Sequence, residues 1–402
     1  MKIYNIVLFK IYFLLYNMDY HNKGQYFTTN LILKKNIYKL ILNNPKIILE
    51  PSVGQGDLVD YVLKQNKTIK FDLYELDETI ELIKSINKKD IIYGDFLKQI
   101  IDSKYDTIIG NPPYIKTKKG NLYIDFIEKC YNLLNKNGEL IFIVPSDFIK
   151  LTSSTKIINI MMKNGTFTHI FHPNNEKLFK NASIDVIIFR YCKNNKLSNK
   201  IYYNNTEKYL INTNGILTLS INNDIKNYKT FNDYFEIYVG MVSGKEKVFK
   251  NEKFGNINIL NKKDKINKYI LINTFPTNNN ELNEYMLKNK SELIKRKIKK
   301  FNEKNWFKWG ALRNYNSVKN NLNKKCIYIH NLTRNKEVCF ESNVKYFGGN
   351  LIIMIPKKEI NITKLVEYIN SDLFKSNYMY SNRFKIGHKQ LCNCNFLPSD
   401  FI

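Results

Sequence analysis

The chain has 402 residues, 44% of them hydrophobic, and carries 63 Lys plus Arg against 36 Asp plus Glu, a formal net charge of +27. That length allows two domains with cores of their own and excludes a small disulfide-stapled scaffold, so Cys130, Cys192, Cys326, Cys339, Cys392 and Cys394 read as free thiols and no metal is assigned. The basic excess is +10 over residues 1–200 and +17 over 201–402, which suits a polyanionic partner held mainly by the second half, although AT-rich coding raises Lys, Asn and Ile regardless.

Ile3 to Tyr16 is apolar but interrupted by Asn5 and Lys10. It is too short to span a bilayer and no small-residue cleavage site follows, so residues 1–17 read as an N-terminal extension without an assigned role. No membrane association is expected, and a cytoplasmic location is, or the DNA compartment of a host cell if the source is viral. A helix is expected after Thr28, with Leu31, Ile32, Ile37, Leu40 and Ile41 on its buried side. Strands follow near 46–50, 69–75, 90–94 and 105–110. A helix near 121–135 shows Leu122, Phe126, Ile127, Cys130, Leu133 and Leu134 at helical spacing and closes at Asn137-Gly138. Next come a strand over 139–144, a helix near 153–163, and strands over 166–172 and 183–192, the last as a hairpin partner at the sheet edge. Short strands joined by helices demand a parallel α/β sheet. The Asn- and Lys-rich stretch 193–232 reads as the domain boundary. Beyond it lie a charged helical stretch over 275–305, a strand over 348–356 and a helix over 363–375.

Four strand ends carry polar groups that suit a ligand. Glu50-Pro51-Ser52-Val53-Gly54-Gln55-Gly56 is a strand end turning through two glycines, which admit close backbone approach and a sharp turn into a helix. Glu75 follows at the end of the second strand, where nucleotide folds hold a ribose diol. Asp95-Phe96 offers an acid and an aromatic face at the third. Asn111-Pro112-Pro113-Tyr114 ends the fourth. Two prolines cannot continue a ladder or enter a helix interior, so they make a rigid corner. That corner presents a side-chain amide, a backbone carbonyl and an aromatic ring, a set able to hold a planar amino group by two hydrogen bonds while a ring stacks on it.

The order Gly24-Gln25-Tyr26-Phe27-Thr28, the glycine turn, Glu75, Asp95-Phe96 and Asn111-Pro112-Pro113-Tyr114 resembles the gamma class of N6-adenine-specific DNA methyltransferases of type II restriction–modification systems. The resemblance covers residues 20–195 well and is looser over 235–398. It implies a Rossmann-like S-adenosylmethionine-dependent methyltransferase domain with a mixed seven-stranded sheet over 18–222. An α+β target-recognition domain over 223–402 follows. The implied reaction moves a methyl group from S-adenosyl-L-methionine to an adenine flipped out of double-stranded DNA. Carried over residue by residue, Asn111 and Pro112 accept the amine hydrogens and Tyr114 and Phe179 stack on the target base. Thr28, Glu50, Pro51, Ser52, Gly54, Gly56, Glu75, Asp95 and Phe96 bind the cofactor. Gln55 and Asp57 depart from the small or apolar residues frequent in related motifs. In the second half Trp306, Trp309, Arg313, Arg334, Arg383 and Lys385 are candidate DNA contacts. A monomer is expected, with a separate cognate restriction endonuclease as a possible partner. RNA-base and protein-glutamine methyltransferases use the same corner and are the alternatives. The short stretch before the glycine turn and the long basic one after it disfavour the glutamine enzymes.

Overall fold

The computed structural model describes residues 24–401 apart from 118, 119, 181, 195, 196, 214, 215, 221, 222 and 224–227. The extension over 1–17 lies outside the described residues. The chain divides into two units, Met1–Asp224 and Ile225–Ile402. Among the described residues no helix is long and apolar enough to cross a membrane.

In the first unit the elements are α1 (Leu31–Lys39), β1 (Ile47–Glu50), α2 (Asp57–Gln65), β2 (Lys70–Glu75), β3 (Ile91–Tyr93) and β4 (Tyr105–Gly110). They continue with α3 (Leu122–Leu133), β5 (Leu134–Pro145), α4 (Thr155–Lys163), β6 (Thr166–Phe171) and β7 (Val186–Cys192). The sheet is built about β5. Leu140, Phe142 and Val144 point into one apolar layer and Ile141 and Ile143 into the other, so both faces are covered, as an α/β sheet requires. Strands β1 to β5 run parallel in the order β3-β2-β1-β4-β5, and β7 runs antiparallel to both β5 and β6.

Several expectations change. Among the described residues the sheet has ten strands, because β8 (Lys200–Tyr203), β9 (Thr206–Thr213) and β10 (Ile216–Ser220) extend the seven expected ones. The stretch 193–232, read as the boundary, holds these three strands of the first unit and also the division at 224/225. With β5 on one side and β6 on the other, β7 is interior, with its first six residues buried, and not an edge. On α1 the buried pair is Leu33 and Ile37, whereas Leu31 and Ile32 are exposed. The Asn30 side chain accepts from the Ile32 N–H and sets the helix start one turn ahead of that pair, which fixes the phase. Asn137 takes a left-handed φ of 65° within the β5 segment and does not close α3, which passes straight into strand at Leu134.

At the opposite end of the sheet from the glycine turn, Glu139 is fully buried and meets Arg190 Nε at 2.7 Å. Its carboxylate also accepts from Thr107 Oγ1 at 2.9 Å and from the Leu42 and Asn43 N–H groups. The segment after α1 is thereby tied to β4, β5 and β7.

The second unit is α+β. Its largest sheet runs in the order 235–239, 351–356, 325–330, 339–343, all antiparallel. Helix Ile362–Asn370 covers one face through Leu365 and Ile369. The charged stretch 275–305 is only partly helical, over Asn280–Lys288 and Lys290–Ile294. After it the chain wraps the buried Arg296, whose guanidinium donates to the carbonyls of Leu293, Ser243, Trp306 and Lys308. A loop satisfied by one side chain in this way has no helical ladder to form.

Candidate active site

A cavity of about 530 Å³ opens at the carboxyl ends of β1, β2 and β4, a volume typical of a small-molecule site. The turn after β1 makes its floor. Gly54 and Gly56 have φ of 58° and 92°, in the region that favours glycine. A Cβ on Gly56 would stand 2.6 Å from the Ile86 side chain. Gly56 itself does not line the cavity: it closes the turn into α2, while Glu50, Pro51, Ser52 and Gly54 line it.

Among the described residues six carboxylates line the space (Glu50, Asp57, Glu75, Asp77, Glu78 and Asp95) and no lysine or arginine does. In a chain of net charge +27 that reversal of sign selects a cationic ligand. Glu50 is 1% exposed; its Oε1 accepts from the Ser52 N–H, and its Oε2 has no hydrogen-bond partner. Burial, reinforced by the neighbouring charge of Glu75, pushes its carboxyl well above the ordinary 4.5. Gln25 Oε1 and Asp57 Oδ2, on two other lining residues, are likewise buried without a partner. Three orphaned acceptors in one acidic cavity fit the ammonium, sulfonium and hydroxyl groups of S-adenosylmethionine.

Glu75 Oε2 accepts from the Gly54 N–H at 2.8 Å, and Oε1 accepts from the Leu76 and Asp77 N–H groups at 2.8 and 3.0 Å. One carboxylate thus locks the glycine turn to the end of β2. Asp95 Oδ1 accepts from the Leu97 N–H at 3.1 Å and caps a short 3₁₀ turn. Phe96 lines the cavity on one side and packs on Phe126 on the other, ring centroids 5.5 Å apart. Thr28 is buried at the cavity wall and reaches the corner after β4.

At that corner Asn111 Nδ2 donates to Tyr26 O at 2.7 Å and to Thr28 Oγ1 at 3.0 Å. Two acceptors on one side fix the amide orientation and turn Oδ1 the other way. Asn111 and Pro113 line the cavity; Pro112, Tyr114 and Phe179 do not. Instead Tyr114 donates from its hydroxyl to Asn111 Oδ1 at 2.5 Å, and its ring stacks on Tyr26 at 5.5 Å. Phe179 is buried beside both, 5.9 Å from Tyr26 and 6.3 Å from Tyr114. Three aromatic rings and one amide therefore form a cluster contiguous with the cavity.

Tyr26 was not singled out from the sequence. Named within the Gly24–Thr28 element but given no role there, it acts through a main-chain carbonyl and a stacked ring. Gln25, Asp77, Ile115, Leu122 and Phe126 also line the cavity unannounced. Among the candidates in the second unit, Trp306 and Trp309 are corrected: both are 3% exposed. Trp309 Nε1 donates to Ile270 O at 2.7 Å and Trp306 packs on Phe275 at 4.8 Å, which leaves no ring face for DNA. Arg313 and Arg334 are exposed. Arg383 and Lys385 both lie over the Tyr380 ring, at 5.5 and 4.1 Å.

Residues 28–179 match the model of the Eco57I restriction-modification methylase family. The Type II methyltransferase M.HincII of Haemophilus influenzae is 32% identical over 199 residues, covering 44% of this chain and 38% of that protein. The Type II methyltransferase M.AccI of Acinetobacter calcoaceticus is 26% identical over 219 residues, covering 48% and 41%. The chain thus spans about two-fifths of the length of these curated relatives. The solved structure of the Type IIL restriction-modification enzyme MmeI in complex with DNA shares the fold, with a TM-score of 0.55 at 11% identity over 90% of this chain and 64% of that one. Residues 28–179, which carry all four strand ends of the cavity, are thus similar to the Eco57I restriction-modification methylases, and the first unit has a Rossmann-like S-adenosylmethionine-dependent methyltransferase fold.

Proposed function

We propose that the chain is a site-specific DNA adenine-N6 methyltransferase acting on an adenine flipped out of duplex DNA. The observation that carries this reading is the shared cavity: the glycine turn after β1, through Gly54, and the corner after β4, through Asn111 and Pro113, line one space. The restriction-modification family of residues 28–179 favours DNA as the polymer.

The adenine amine is a poor nucleophile because its lone pair is delocalised into the ring. Asn111 Oδ1 and the carbonyl of Pro112 accept its two hydrogens, which draws electron density onto nitrogen. Oδ1 has two lone pairs, so it keeps the Tyr114 hydroxyl and still takes the amine. Bound S-adenosylmethionine supplies a methyl already activated on a sulfonium. The chain's task is then alignment and charge placement. Glu50 to Gly54 hold the methionine end, Glu75 the ribose, and Asp95 with Phe96 the adenine of the cofactor. Tyr114 and Phe179 enclose the target base, which must leave the stack to arrive.

Labelled methyl transfer to duplex DNA, RNA and release-factor protein, followed by sequencing for modified adenine, tests the reading. Modified adenine in DNA is expected; label in RNA or glutamine alone, or no modified adenine at all, would overturn it.

Glu50 makes the cofactor's charge measurable. Its folded carboxyl titrates above 4.5 in the ligand-free protein, so between 4.5 and the raised value the folded chain holds a proton that the unfolded chain has lost. Stability contributed by that proton falls as pH rises through the window. A cationic ligand favours the carboxylate and expels the proton, so its affinity rises with pH. Calorimetry between about pH 5 and 8 should show proton release and tighter binding with rising pH, larger for S-adenosylmethionine than for S-adenosylhomocysteine, which keeps the ammonium but lacks the sulfonium charge. Glu50→Gln should weaken the former about 10-fold or more and abolish the pH dependence.

Residues 225–402 supply target recognition in this reading. Arg383 and Lys385 alternate on one strand, and the Tyr380 ring beneath them pre-orders the guanidinium. Arg383→Ala should relax the methylated motif at one base position, at about 1–3 kcal/mol of discrimination, read by sequencing. Arg334→Ala should weaken binding about equally at all sites and flatten its salt dependence.

A further inference from the structure

The Phe179 wall belongs to a loop whose two roots are joined by a polar row. Strand β6 ends at Phe171 and β7 starts at Val186, its antiparallel neighbour, so 172–185 is the loop between them. His172 and Asp185 stand at the roots and are 6% and 1% exposed. His172 Nε2 meets Asp185 Oδ2 at 2.9 Å, and His172 Nδ1 meets the Tyr203 hydroxyl at 2.8 Å. With the ring proton on Nε2, Asp185 accepts it and the Tyr203 O–H donates to Nδ1, so both ring nitrogens are satisfied. Burial first, and the charge of Asp185 second, push the Tyr203 hydroxyl up and keep it protonated for that bond.

The backbone repeats the pattern. Asn204 Oδ1 accepts from the His172 N–H at 2.7 Å, and Asn204 Nδ2 donates to His172 O at 3.0 Å. At the other root, Asp185 O accepts from the Ser146 N–H at 2.9 Å, just past the end of β5. Tyr203 and Asn204 sit where β8 turns into β9, and Asn204 and Asn205 take left-handed φ of 46° and 66° to make that turn. The outer half of the row thus comes from the strands added beyond the seventh, none of which lines the cavity. Inside the loop, Leu178 and Phe179 are each 4% exposed, and Phe179 rests on Tyr26 and Tyr114. A histidine between an acid and a hydroxyl can activate a nucleophile, but here His172 and Asp185 are buried, Tyr203 is half-buried, and the row lines no part of the cavity described above.

We infer that His172, Asp185 and Tyr203 are positioning residues: they clamp the 172–185 loop and hold Phe179 in place against Tyr114, with β8 and its turn supplying the outer jaw. The inference rests on the adenine-N6 reading for what Phe179 encloses, and on geometry alone for the clamp.

Tyr203→Phe removes one O–H, and His172→Leu severs both side-chain bonds. Hydrogen exchange on the full chain should run about threefold faster or more across 173–184 in Tyr203→Phe, and faster again in His172→Leu, with 50–65 unchanged. Single-turnover methylation of duplex DNA should fall about 3- to 10-fold in Tyr203→Phe, at unaltered S-adenosylmethionine affinity and with altered emission from 2-aminopurine placed at the target adenine. Tyr203→Phe that melts earlier yet keeps wild-type loop exchange, rate and emission would overturn the clamp and leave the row a purely structural one. If His172→Leu does not fold, Tyr203→Phe decides alone. Should the unaltered protein modify no adenine while Tyr203→Phe still loosens the loop, the clamp stands and the adenine reading falls.

Discussion

Asn111→Ala is expected to lower methyl transfer by about 10³-fold while S-adenosylmethionine affinity changes by no more than about threefold. The asymmetry follows from how the amide is held. Its Nδ2 is spent on Tyr26 O and Thr28 Oγ1, both contacts within the protein. Its Oδ1 is the atom left to meet a substrate amine, and Thr28 Oγ1, which the variant frees, lies on the Nδ2 side of the amide and not where Oδ1 stood. Thr28 Oγ1 and Tyr26 O lose a donor in the variant, at about 1–3 kcal/mol of stability, so a parallel melting curve separates damage from chemistry. Asn111→Asp is the sharper control. Its charge would suit the amine, but the carboxylate has no N–H to offer Tyr26 O and Thr28 Oγ1, so its orientation is lost. Equal loss of cofactor binding and of turnover in Asn111→Ala would remove the role assigned to Oδ1.

Arg190→Ala carries the largest expected cost in stability, about 3–5 kcal/mol. The variant leaves Glu139 buried with its charge uncompensated, since the remaining partners, Thr107 Oγ1 and two backbone N–H groups, are neutral. For a unit of this size the melting point should drop by about 10 °C. Glu139→Gln leaves the Arg190 guanidinium uncompensated in turn, but the amide keeps an acceptor for Nε, Thr107 and Leu42, so it should cost less than Arg190→Ala while still exceeding about 1 kcal/mol. Both changes lie away from the cavity, so cofactor affinity measured well below the transition should stay as in the unaltered protein. A drop of under about 1 kcal/mol in Arg190→Ala would show that solvent reaches Glu139 after all.

The parallel half of the sheet was legible because its strands are short apolar runs ending in glycine, acid or proline. The four strand ends were found for that reason, and they meet at one cavity. What escaped was structure made from polar sequence. Strands β8 to β10 bury Ile201, Leu210, Ile211, Leu217 and Leu219 thinly spread among Lys, Asn, Thr and Tyr, a pattern that composition alone reads as linker. Asn-Asn at 204–205 marks a tight turn, yet in an Asn-rich chain the signal is lost in the background. Tyr26 escaped because main-chain acceptors leave no residue signature. The error at Trp306 and Trp309 has another cause. Aromatic residues beside Lys in a basic chain suggest a nucleic-acid surface, whereas here Phe249, Tyr269 and Phe275 enclose them as a core of their own.

That enclosure has a practical use. The chain has two tryptophans, and both are sealed within Ile225–Ile402. Indole fluorescence of the unaltered protein therefore follows the melting of this unit by itself, shifting to the red as water reaches the rings. A calorimetric peak that passes without such a shift belongs to the residues ahead of 225, and no label or truncation is needed to tell the two events apart.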